Sequence, residues 1–193
     1  MTNVVLDYPF LWDDLGSEMI DGVVTPMSPV GITHQRVDNG LSDILRKHFK
    51  GTSCQVFKDV FVHFSKRDVL APDFSIVCDE SLINGEVIHG TPDMVVEIIS
   101  PSTSKRDRRS KKDIYEKYGV KEYWIADGRS YSVEVYLLSE GKLELNEVYA
   151  IIPQFELDVR GLEKPDYTFE SKTFKGLVVD VEELFGELLP KDY

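Results

Sequence analysis

The chain has 193 residues, 42% of them hydrophobic and 11% aromatic, which is enough to bury one substantial core and excludes a disordered or fibrous chain. Its net charge of -12 disfavours loose, electrostatically driven binding along a nucleic-acid backbone. No apolar run nears the ~20 residues of a membrane span, and the stretch up to Met19 is acidic where a signal peptide is basic, so one soluble, cytoplasmic domain over residues 1–193 is expected.

Tyr8 to Trp12 starts a short amphipathic segment, and Glu18 to Val24 carries Asp21-Gly22 between apolar residues, a tight hairpin signal. From Ile32 to Phe49, Val37, Leu41, Ile44, Leu45 and Phe49 recur at helical spacing, with Gly51 as a stop. Val56 to Phe64 and Phe74 to Cys78 read as strands, and Ser81 to Gly90, with Asn84-Gly85, as a loop. Met94 to Ile99 is apolar apart from Glu97, the pattern of a strand buried on both faces. A second long helix is expected from about Ser104 to Tyr118, after the capping-rich Ser100 to Ser104 and before Gly119. Lys121 to Ala126 and Tyr131 to Leu138 are strands joined through Asp127-Gly128, and Lys142 to Ile152 continues the sheet. After Pro153 the pattern weakens, and Val178 to Leu189 reads as a terminal helix. Cys54 and Cys78 form no CxxC pair and meet no His cluster, so both are expected to pack as small core hydrophobes without a disulfide or thiolate zinc site.

Chemistry enters with Glu97, because an unpaired carboxylate in a strand buried on both faces costs several kcal/mol. A metal ion, a basic side chain or protonation must compensate it. Asp73 stands at the entry to the strand that starts at Phe74, so two neighbouring strands can present Asp73 and Glu97 side by side. A Mg²⁺ relieves the repulsion of such a pair, since that ion favours one or two carboxylates plus water. At about 100° per residue, Ile114, Tyr115 and Tyr118 define an apolar direction that includes Lys111 and, one turn earlier, Asp107, while Lys112 points outward. An inward lysine beside two carboxylates can orient or deprotonate a water and stabilise charge on a phosphate. The structural alternative is that Lys111 snorkels from the helix edge and pairs with Asp107. Tyr115 reads as core packing beneath it. The sequence holds no GxSxG, no phosphate-cradling glycine loop and no metal-binding histidine pair, which argues against a serine hydrolase, a nucleotide-binding protein or a zinc peptidase.

The run Pro72-Asp73, then Pro92 to Thr103, then Asp107, Lys111 and Tyr115, then Gly119-Val120 and Glu122 to Asp127, closely resembles the Uma2 family of restriction endonucleases, within the PD-(D/E)XK nuclease-like fold. The resemblance implies an α/β (α+β) domain with a central mixed β-sheet flanked by helices, a Mg²⁺- or Mn²⁺-dependent DNA endonuclease, and a homodimer. Asp73, Glu97 and Lys111 become the expected catalytic residues, with Asp73 and Glu97 as metal ligands. The usual lysine two residues after the acid is replaced by Ile99, and Lys111 on the following helix is read as its migrated replacement. Glu18 and His34 also match the family's opening pattern and are taken as further site residues, with Asp93 as an additional candidate ligand. Lys105, Arg106, Arg108, Arg109 and Lys112 could contact phosphates or form a solvated helix face. The competing reading is a catalytically degenerate module that binds nucleic acid or a protein partner, favoured by Ile99 and by the acidic balance.

Overall fold

Residues 16–27, 29–100 and 107–189 are described in the computed structural model, Asp107 by its backbone alone. The expected segment at Tyr8 to Trp12 lies outside them. Asp21 (φ 51°) and Gly22 (φ 79°) both adopt the left-handed region, the turn that matches the twist of two antiparallel strands. They join β1 (Ser17–Ile20) to β2 (Val23–Pro26) in the predicted hairpin. Helix α1 spans Ile32–Phe49, the predicted range, and buries Val37, Leu41, Leu45 and Phe49.

The predicted strand from Val56 to Phe64 is instead two, β3 (Gln55–Lys58) and β4 (Val62–His63). Asp59 between them has φ 54°, a conformation that a short polar side chain tolerates and an extended strand does not. β5 (Val69–Leu70) and β6 (Phe74–Val77) follow. The predicted loop at Ser81 to Gly90 contains a short 3₁₀ turn and a second hairpin, β7 (Ile83–Asn84) with β8 (Val87–His89). β9 (Met94–Ile98) is buried throughout.

Of the second helix, expected from about Ser104, the described residues show a wider π-helical turn, Asp107–Lys111, and its continuation as α2 (Lys112–Tyr118) up to Gly119 at φ 82°, while residues 104–106 lie outside them. β10 (Glu122–Asp127), β11 (Ser132–Ser139) and β12 (Lys142–Ala150) follow, then α3 (Gln154–Arg160), β13 (Thr168–Glu170) and β14 (Val178–Asp180). The expected terminal helix is reduced to α4 (Val181–Phe185), because Asp180 ends β14 and caps α4, its side chain accepting from the amides of Glu182 and Glu183.

The central sheet has the order β12-β11-β10-β9-β6-β3, with β9 and β10 parallel and the other neighbours antiparallel. One face packs Met94, Val96, Ile98 and Trp124 against α1 and α4. The other packs Val95, Ile99, Tyr123 and Ile125 against Ile114 and Tyr115 of α2. A second mixed sheet, β2-β1-β5-β4-β8-β7, lies alongside.

The cysteines depart from expectation. β3 and β6 pair antiparallel with Gln55 opposite Val77, so the next step of the register sets Cys54 against Cys78. They form a disulfide, with Cα atoms 3.9 Å apart. Their partnership depends on strand pairing, which their spacing along the chain does not reveal. Among the described residues no helix is long and apolar enough to cross a membrane.

Candidate active site

β6 and β9 pair with Phe74 opposite Val96 and Ser75 opposite Val95, and continuing that register places Asp73 across from Glu97. The ladder ends there through a side chain. The amide of Ile98 donates to Asp73 Oδ2 at 2.6 Å, while Asp73 Oδ1 lies 2.9 Å from His34 Nε2 on the first turn of α1. Burial alone would lower the His34 pKa, but the hydrogen bond and charge of Asp73, with Asp38 and Asp59 further out, hold it above the ordinary histidine value.

Glu97 shares its face of β9 with Val95 and Ile99, beneath α2. Its Oε1 accepts from Lys111 Nζ at 2.9 Å and from the Tyr115 hydroxyl at 2.5 Å. Lys111 Nζ also lies 2.9 Å from Glu18 Oε1, which further accepts from the amide of Ala71 at 3.2 Å. Glu18 reaches this point because β1 pairs with β5, Met19 opposite Val69. Glu18, Glu97 and Lys111 are 2%, 3% and 4% exposed, so the lysine charge is held between two desolvated carboxylates. Burial first, then the Glu97 charge, pushes the fully buried Tyr115 hydroxyl well above the usual tyrosine range.

These side chains converge on a cavity of about 120 Å³ whose lining includes Glu18, His34, Asp59, Asp73, Glu97 and Lys111. Among the described residues, four carboxylates thus face one ammonium and one imidazole, a formal surplus of acid even with His34 protonated. Burial, followed by the charges of Asp73 and Asp38, raises the pKa of Asp59.

Other expected residues lie elsewhere. Asp93 is not a pocket residue: it accepts from the amide of Cys78 at 2.9 Å and pairs with Lys121 at 2.6 Å, because it precedes β9 at the end opposite Glu97. Arg108 forks onto Glu134 through Nε (2.9 Å) and Nη2 (2.5 Å). Lys112 is flanking rather than outward, over the Tyr136 ring at 5.5 Å and 3.6 Å from Glu116. Arg109 is exposed, and none of these three lines the pocket. Lys105, Arg106 and the Asp107 side chain lie outside the described residues.

One contributor, Asp59, escapes the sequence reading, and another, Tyr115, is core as expected and adds a second role. Asp59 had a signal in its interruption of an apolar, β-branched run. Tyr115 is both core and site: its ring packs 5.0 Å from that of Tyr123 while its hydroxyl holds Glu97.

A mixed sheet between helices, with acidic residues at the ends of paired central strands, defines a restriction-endonuclease-like fold. A crystal structure described as a "putative nuclease belonging to DUF820" from Anabaena variabilis shares this fold with a TM-score of 0.71, covering 91% of this chain and 93% of that one at 20% identity. Residues 6–182 match the Uma2 family, described as "Putative restriction endonuclease", and the chain belongs to that family. An uncharacterized protein of Synechocystis sp. is 25% identical over 122 residues, 62% of this chain and 64% of that protein. The chain thus spans less than two thirds of that relative's length.

Proposed function

We propose that this protein is a metal-dependent endonuclease that hydrolyses DNA phosphodiester bonds. The observation that carries the reading is the acid surplus of one small pocket, in which a single buried lysine is shared by Glu18 and Glu97 and Asp73 stands opposite Glu97.

That donor set fits Mg²⁺ or Mn²⁺. Among the described residues no three His, Cys, Asp or Glu side chains group closely enough to enclose an ion, as a zinc site would require. A magnesium site needs only one or two carboxylates and completes its shell with water. Asp73 and Glu97 would hold the ion, and its positive charge would offset the surplus acid. When bound, it supplies Lewis-acid polarisation of a phosphoryl oxygen.

The chain's own groups do the rest. His34 and the Ile98 amide fix both oxygens of Asp73, and Tyr115 fixes Glu97. Lys111 keeps a positive charge where negative charge grows on the phosphate, in surroundings dry enough to strengthen the interaction. With Mg²⁺ or Mn²⁺ the protein is expected to nick supercoiled plasmid. Asp73→Ala and Glu97→Ala should each slow nicking by on the order of 10²-fold or more, as followed by gel densitometry. Wild-type protein inert on single- and double-stranded DNA across these metals would sink the reading.

Two observations favour the silent-module alternative. Ile99 occupies the usual lysine position, and the Lys111 amine is engaged by both glutamates. The same assay decides between the two readings.

A further inference from the structure

In a chain of net charge -12, five exposed cations gather at the end of α1 opposite the pocket. Arg46, Lys47 and Lys50 stand on its last turn and C-cap, and Lys172 and Lys175 on the connection between β13 and β14. Packing brings the two elements together. The Phe49 and Phe174 rings meet edge-on at 4.9 Å, and a Cβ added at Gly176 would lie 3.8 Å from His48 Cε1. The connection is also pinned from inside: Glu122, 0% exposed, accepts from the Ser171 hydroxyl at 2.9 Å and from the Thr173 amide at 2.7 Å. Both lysines therefore project from a fixed turn.

Elsewhere the cations are matched, and Arg36, Lys58, Lys117, Lys121, Lys142 and Lys164 each meet a carboxylate. Among the described residues none of the five forms an ion pair, a state shared only by Lys66, Arg67 and Arg109. The nearby acids along the chain are Asp43 and Glu170, and Glu170 accepts from the Gly176 amide at 2.5 Å. The dipole of α1 favours basic groups in its last turn. It does not account for Lys172 and Lys175, which belong to another element, or for Arg46 and Lys50, which repel each other four residues apart on one helix face. A surface that keeps like charges together without counter-charges is matched to a polyanion. Cations spread over two elements suit a repeating ligand such as a duplex backbone, with a phosphate about every 3.4 Å along each strand. The aromatic rings of the patch are not offered to a bilayer, because Phe49 is buried and Phe174 half-buried against it.

We infer that Arg46, Lys47, Lys50, Lys172 and Lys175 form a docking surface for the phosphate backbone of duplex DNA, separate from the cleavage pocket. The choice of DNA rests on the endonuclease reading, but the binding test does not depend on cleavage. His34 in the pocket and Lys50 in the patch are joined by α1, about 24 Å of helix, a span of about seven phosphates along one strand. Fluorescence anisotropy follows a labelled blunt duplex longer than that span, in EDTA, which removes the metal that cleavage requires and leaves the acidic pocket unfavourable to a phosphate. Lys47→Gln/Lys50→Gln and Lys172→Gln/Lys175→Gln, all at exposed positions and checked for folding by circular dichroism, should each weaken binding about tenfold or more. Each pair should also flatten the slope of log affinity against log salt by roughly 2, at ~0.9 per lost phosphate contact. Lys66→Gln, an exposed cation between β4 and β5 of the second sheet, should bind like wild type.

Wild-type protein that does not bind the duplex in EDTA, either double variant binding like wild type, or tighter binding to phosphatidylserine vesicles than to the duplex overturns the inference. Patch-dependent binding without cleavage in Mg²⁺ or Mn²⁺ supports the surface and sinks the endonuclease reading. Cleavage without patch-dependent binding does the reverse.

Discussion

Lys111 Nζ lies 2.9 Å from a carboxylate oxygen of both Glu18 and Glu97. Removing it leaves Glu18 and Glu97 as desolvated carboxylates without their shared cation, the kind of change that costs about 3–5 kcal/mol. Lys111→Ala is therefore expected to lower unfolding stability by that amount in chelator, measured by urea titration. The triple variant Glu18→Gln/Lys111→Met/Glu97→Gln, which removes the charges together, should recover most of the loss. If the single variant unfolds at the wild-type midpoint, the three groups do not form a buried charge cluster.

At the scale of elements, placement of the site depends on how α1 meets the central sheet. Gly128, in the connection between β10 and β11, sits so close to this helix that an added Cβ would lie 2.8 Å from Thr33 Cγ2 and 2.9 Å from Val37 Cγ2. Gly128→Ala should destabilise by about 1–3 kcal/mol through overpacking, seen as a lower thermal midpoint. The disturbed residues neighbour His34, so cleavage should fall as well. α1 is legible in the sequence because five apolar residues keep one phase from Val37 to Phe49, with Gly51 as a stop. The inward aim of Lys111 is legible from the apolar direction set by Ile114, Tyr115 and Tyr118, even though its own turn is π-helical. The break at Asp59 shows only as one interruption of an apolar run, and the Cys54–Cys78 bond is not legible. The first needs one residue's φ angle and the second needs a strand register, and neither leaves a periodic trace.

For the whole molecule, the joint between the second sheet and α2 is the best test of stability against pH. Asp68, 1% exposed, accepts from the Asp21 amide at 2.8 Å, from Lys117 Nζ at 2.8 Å and from the Tyr118 hydroxyl at 2.7 Å. Burial alone would raise its pKa, but these donors outweigh it and hold the group below the usual aspartate value. Folding thus favours the ionised form. The contribution is complete above the unfolded value of about 3.9 and disappears as the pH falls through the lower folded value. Asp68→Asn should cost about 1.5–3 kcal/mol at neutral pH and flatten the acid limb of the stability profile. A variant with the wild-type pH slope would show that this joint does not govern acid unfolding. The mixed sheet and its flanking helices are legible in the sequence as a pattern of strands around two periodic helices. How a second sheet brings Glu18 to Glu97 is not, because the joint rests on contacts between residues about fifty positions apart.

The same long reach bears on when the pocket comes into being. Its charged groups come from a hairpin, a helix, two strands and a second helix, spread from Glu18 to Lys111, and no pair of neighbouring elements holds more than a fragment of it. A chain emerging from the ribosome, or one with a single sheet formed, carries scattered acids that assemble nothing. The pocket therefore exists only in molecules that have finished folding, and an incomplete copy carries no such site.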